Sequence, residues 1–117
     1  MTLDMKVQIE VTDETIDDIM TTALEGGICY WCHRAEVVGK YLGTYASEQI
    51  SRDGELRLWT DDGEKLILSK SNFLKGLVKY AALHQIICGG SIDAALIDAN
   101  AADTIVQYAV FGKLVYC

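Results

Sequence analysis

Residues 48–68 read Glu48-Gln49-Ile50-Ser51-Arg52-Asp53-Gly54-Glu55-Leu56-Arg57-Leu58-Trp59-Thr60-Asp61-Asp62-Gly63-Glu64-Lys65-Leu66-Ile67-Leu68, and they decide the fold class. The Asp53-Gly54 and Asp62-Gly63 pairs are hairpin signals, because Asp-Gly tolerates the positive φ angles of a type I′ turn. They divide the stretch into Glu48–Arg52, Glu55–Thr60 and Glu64–Leu68, which predicts an antiparallel three-stranded meander. Upstream, Met5–Val11 alternates apolar and polar residues and predicts a further, N-terminal strand.

Helices are expected before and after the meander in the sequence, packed on one side of the sheet. Thr12 or Asp13 caps a helix whose Ile16, Ile19, Met20, Ala23 and Leu24 recur at three- and four-residue steps, with Gly26-Gly27 as a left-handed stop. Ser69 or Ser71 caps a second, with Phe73, Leu74, Leu77, Val78 and Ala81 on its apolar stripe. A third spans Ala101 to Phe111, turns Ile105, Val106, Ala109 and Val110 inward and ends at Gly112, after which Lys113–Tyr116 returns as an edge strand. Ala35–Val38 is too short to assign. The chain of 117 residues, half of them apolar, is expected to be one α+β domain over 1–117, an antiparallel sheet with about three helices packed on it.

Charge and cysteine content narrow the function classes. Residues 1–25 carry seven carboxylates against Lys6, and so hold six of the seven net negative charges. Such a segment repels nucleic acid, whose affinity for proteins rests on basic residues displacing counterions, so no direct nucleic-acid partner is expected. Asp13/Asp17 and Glu14/Asp18 stand at i,i+4, as on a solvated helix face or a surface that meets a basic protein. No apolar run reaches membrane-spanning length, and Met1–Val11 has neither a basic start nor an apolar core, so a cytoplasmic protein without membrane contact is expected. Its four cysteines are expected to be free thiols.

Cys29-Tyr30-Trp31-Cys32-His33 spells CxxCH, the haem-attachment pattern. Haem is not expected: there is no export signal, and nothing singles out a second axial ligand from His84, Met1, Met5 and Met20. A thioredoxin-like pair should open a helix, whereas this one follows a helix stop. Zinc would need Cys29, Cys32, His84 and Cys88 together, with 51 residues between Cys32 and His84. No cofactor or metal is therefore expected, a small zinc-binding structural domain being a distant alternative. The usual phosphate-loop, nucleophile-elbow and zinc-protease motifs are absent from the sequence, which gives no support to an enzyme.

Polar groups close to aromatic ones form the strongest functional signal. Tyr30, Trp31 and Tyr108 offer flat faces for stacking, and Arg34, Glu48, Gln49, Arg52 and Gln107 offer directional hydrogen bonds. Small-molecule sites have this composition, although the same aromatics also suit a core. Gln107 stands out, a long amide among apolar residues of the last helix.

The segments ALEGGICYWC (23–32), GTYASEQISR (43–52) and ADTIVQYAVFG (102–112), in this order and spacing, resemble a family of small proteins borne by phages and other mobile elements of bacteria, most without an assigned activity. In that family the position of Cys29 is often asparagine and that of His33 acidic, which implies that the CxxCH here is incidental. The resemblance implies a counter-defence role in the host bacterial cytoplasm. Two mechanisms fit it: a homo-oligomer that sequesters a small nucleotide-derived immune signal, or an acidic inhibitor that covers the basic surface of a host nuclease, as some anti-CRISPR proteins do.

Overall fold

A computed structural model describes residues 9–117 and shows an α+β globule. Helix α1 (Asp13–Thr22) is capped by Thr12, whose hydroxyl accepts from Thr15 N at 3.1 Å. It runs into a wider π-turn at Ala23–Gly27, and Ile16, Ile19, Met20 and Ala23 face the core. Neither Gly26 nor Gly27 is left-handed, so the expected helix stop is corrected. Gly27 is required for close approach instead: a Cβ there would lie 2.8 Å from Ala99 O.

Three strands follow, β1 (Cys32–Val37), β2 (Leu56–Thr60) and β3 (Lys65–Leu68), antiparallel in the order β1-β2-β3. Ala35, Leu58 and Leu66 stand in register, and Leu56, Leu58 and Thr60 point into the core. The Asp62-Gly63 hairpin is present, closed by Thr60 N to Glu64 O and Gly63 N to Thr60 O, both 2.9 Å. The meander's expected first strand is not. Residues 46–48 form a short 3₁₀ turn and residues 49–53 further turns, and the unassigned segment around Ala35 takes the third place in the sheet. Gln49, Ile50 and Ser51 are buried consecutively, which an alternating strand cannot do. Gly54 N bonds back to Gln49 O at 2.7 Å while Asp53 takes φ 64°, so Asp53-Gly54 ends a helical turn and not a hairpin.

Helix α2 (Lys70–Leu83) has a reciprocal cap: Ser69 Oγ accepts from Asn72 N, and Asn72 Oδ1 accepts from Ser69 N. Its buried face is Phe73, Gly76, Leu77 and Tyr80, rotated from the expected stripe so that Val78 is 68% exposed. The rotation follows from Gly76, where a Cβ would meet Ile105 O at 2.5 Å and Ala109 N at 2.7 Å; α3 can only pack this closely against a bare backbone. A two-stranded ribbon, β4 (Ile87–Cys88) with β5 (Ser91–Ile92), leads to α3 (Ala99–Phe111), which is capped by Asp98 and ended by left-handed Gly112.

The N-terminal strand expected at Met5–Val11 lies largely outside the described residues. Within them, Glu10 bridges Ser91 in parallel, away from the three-stranded sheet. The expected edge strand at Lys113–Tyr116 is an irregular tail, because a side chain takes the backbone bonds that a neighbouring strand would have made.

Candidate binding site

That side chain is Gln107. It is fully buried on α3, and its Oε1 accepts from both Val115 N and Tyr116 N at 2.8 Å. Its Nε2 donates to Tyr116 O at 3.0 Å and to Asp103 Oδ1 at 2.9 Å, with Tyr30 Oη a third neighbour at 3.3 Å. Asp103, one turn earlier, also accepts from Trp31 Nε1 at 2.7 Å and from Tyr30 Oη at 2.6 Å. A buried carboxylate is thus held by three neutral donors, as burial of so polar a group demands. Tyr116 then stacks on Trp31, with ring centres 5.4 Å apart and planes 1° from parallel.

Outside this network lies a cleft of about 390 Å³, bounded by Tyr30, Tyr116 and Leu114, with Asn100, Asp103, Thr104 and Cys117 along its floor and rim. Both rings are fixed before any ligand arrives, Tyr30 by its bond to Asp103 and Tyr116 by Trp31 and Gln107. Burial and the adjacent Asp103 carboxylate push the Tyr30 hydroxyl up to about 12, so it stays a neutral donor across the physiological range. Among the described residues, no cation lines the cleft.

Of the residues expected to bind ligand, Tyr30, Trp31 and Gln107 come together here. Trp31 is 1% exposed and Gln107 fully buried, so the structure makes them supports of the cleft wall, correcting their assignment as contact residues; Tyr30, half exposed, is at the surface. Glu48, Gln49 and Arg52 meet elsewhere. Gln49 is fully buried and grips Leu42 N, Leu42 O and Tyr45 O at 2.7–2.8 Å. Glu48 accepts from Tyr45 N and Thr44 N, two bonds that hold its carboxyl below the usual range, and Arg52 lies 3.4 Å from it. These residues build the loop at 41–45 beside a second hollow of about 410 Å³, lined by Thr21, Leu24, Glu25, Tyr45 and Ser47. Tyr108 lies apart from both groups, half-buried under Lys79 Nζ at 4.8 Å. Arg34 pairs with Glu36 and covers Trp59, its guanidinium carbon 5.5 Å from the ring centre.

Sequence reasoning missed Asp103. The signal was there: Asp103 and Gln107 stand at i,i+4 as polar residues in a helix that is otherwise mostly apolar. As for metal, α2 ends at Leu83, so His84 and Cys88 do not share its face, and no cluster of three or more potential ligands occurs among the described residues. Burial raises the Cys32 thiol above its ordinary value, which makes it a poor nucleophile. None of the described helices is long and apolar enough to cross a membrane.

No family model, curated protein or solved structure matches this chain.

Proposed function

We propose that this is a non-catalytic binding protein that sequesters a small nucleotide-derived signal, in the counter-defence role that its motifs suggest, and that it works as a homo-oligomer in the host bacterial cytoplasm. The observation that carries the reading is the cleft walled by two immobilised tyrosine rings, Tyr30 and Tyr116, with the hydrogen-bonding side chains of Asn100 and Thr104 beside them. Rings fixed in advance lose little conformational entropy when a flat ligand enters, which favours binding. The lining favours one part of a nucleotide over another. With carboxyl, amide and hydroxyl groups but no cation among the described residues, the cleft suits a base and ribose, with phosphates left facing outward.

Calorimetric titration with a panel of cyclic and linear purine nucleotides tests this. The wild type is expected to bind a member of the panel. Asn100→Trp, an exposed position on the cleft rim, is expected to lose at least tenfold in affinity while its circular dichroism and melting temperature stay unchanged. Equal binding by the two proteins refutes the assignment.

A second reading, the acidic inhibitor, has its own support. Residues 9–25 hold six carboxylates and no cation, and Asp13, Glu14 and Asp18 are exposed. Among the described residues, the cations that pair with this helix are Arg52, 3.9 Å from Asp17, and Lys70, 4.0 Å from Asp13. In that case, neutralising Asp13, Glu14 and Asp18 together abolishes a salt-sensitive complex with a basic protein and leaves nucleotide titrations untouched.

A further inference from the structure

Cys29 and Cys32 take no part in the cleft, and their surroundings point to a chemistry of their own. Both line one small hollow of about 120 Å³, with Leu24, Ile28, His33 and Arg34. A single tight turn closes the chain between them: Ile28 O accepts from Trp31 N at 3.1 Å and from Cys32 N at 2.8 Å. Residues three apart in such a turn have Cβ atoms roughly 5–6 Å apart, not far beyond the roughly 3.5–4.5 Å that a disulfide requires. Each thiol makes a weak bond to a backbone carbonyl, Cys29 Sγ to Leu24 O at 3.5 Å and Cys32 Sγ to Arg34 O at 3.2 Å. Cys29 is exposed and Cys32 buried, the arrangement of an attacking thiol beside a resolving one.

We infer that Cys29 and Cys32 form a redox-active pair that closes to an intramolecular disulfide by exchange with a low-molecular-weight disulfide such as oxidised glutathione. The Cys29 thiolate attacks one sulfur of oxidised glutathione; the new bond joins Cys29 Sγ to glutathione, and the second glutathione leaves as its thiolate. Cys32 then loses its proton to solvent and attacks Cys29 Sγ, expelling the bound glutathione. Two protein thiols are oxidised and one glutathione disulfide is reduced to two thiols. Burial slows the second step and does not prevent it, because the mixed disulfide holds its target sulfur in the same hollow.

The pair is well placed for a direct test. Cleavage after Lys6 and Arg34 gives a peptide, residues 7–34, that contains Cys29 and Cys32 and neither Cys88 nor Cys117. Reduced full-length protein is incubated with mixtures of oxidised and reduced glutathione, trapped with an alkylating agent, digested and weighed. The expected product is that peptide two hydrogens lighter, without glutathione or alkyl groups. Cys29→Ser is expected to abolish the shift, and Cys32→Ser to stop at a glutathione adduct on Cys29. Should Cys32→Ser fold poorly, the exposed Cys29→Ser carries the control alone. A wild-type adduct that persists on Cys29, a link from Cys29 to Cys88 or Cys117, or no reaction at all overturns the inference.

Discussion

Gln49 and Gln107 are both fully buried, and each fastens a stretch of backbone that no described strand pairs with. Gln49 holds the loop at Leu42–Tyr45, and Gln107 holds the tail at Val115–Tyr116. The difference lies in what surrounds the bonds. Around Gln49 the fastened residues open to water, Tyr45 being 67% exposed, so lost bonds there can be remade with solvent. Around Gln107 the amide shares a partner with two aromatic donors, and the tail it fixes carries a ring stacked against buried Trp31. One glutamine shapes a surface loop; the other holds up the wall of a cleft.

Substitutions can measure that contrast. Gln107→Leu strands the amides of Val115 and Tyr116 and removes a donor from Asp103. Val115 is 46% exposed, so its amide can turn to water, and the cost falls on the half-buried Tyr116 amide and on buried Asp103; at about 1–3 kcal/mol for each buried group left unpaired, a loss of about 2–4 kcal/mol in denaturant unfolding is expected, with fast amide exchange at residues 115 and 116. Asp103→Ala frees the Trp31, Tyr30 and Gln107 donors, of which Trp31 is sealed from water and Gln107 keeps Tyr116 O as a partner; about 2–3 kcal/mol is expected, with a changed indole emission. Gln49→Leu should cost less, about 1–2 kcal/mol, and raise exchange at Leu42 alone in the loop. If Gln49→Leu proves as costly as Gln107→Leu, solvent access is not what separates the two sites.

The smallest expected effect is on pH dependence. The Tyr30 hydroxyl titrates near 12 in the folded protein and near 10 when unfolded, so the folded state holds the extra proton between these values. Stability from this group is therefore complete below about pH 10 and declines as pH rises towards 12. Asp103→Asn should flatten part of that decline, since burial is the larger cause of the shift and the carboxylate the next; an unaltered slope would remove Asp103 from the explanation.

Local chemistry made much of this fold legible in the sequence. The Thr12 and Ser69 caps, the Asp62-Gly63 hairpin and the end of α3 at Gly112 all depend on a few adjacent residues. The errors came where distant contacts override local pattern. Glu48–Arg52 resembles a strand until the Gln49 amide finds Leu42 and Tyr45, and the stripe of α2 cannot be placed without knowing that α3 approaches at Gly76. The candidate site shows the same limit. Gln107 and the Tyr30-Trp31 pair were visible as unusual residues, yet only the fold turns Trp31 inward and brings Asp103 between them.

Recovery of the captured molecule is the most direct test of binding without chemistry. The protein is incubated with each purine nucleotide, separated from free ligand, heated to unfold it, and the released material is weighed by mass spectrometry. Intact nucleotide, recovered in proportion to protein from the wild type and missing from Asn100→Trp, is the expected result. A nucleotide returned in altered form, or equal recovery from both proteins, would contradict the account.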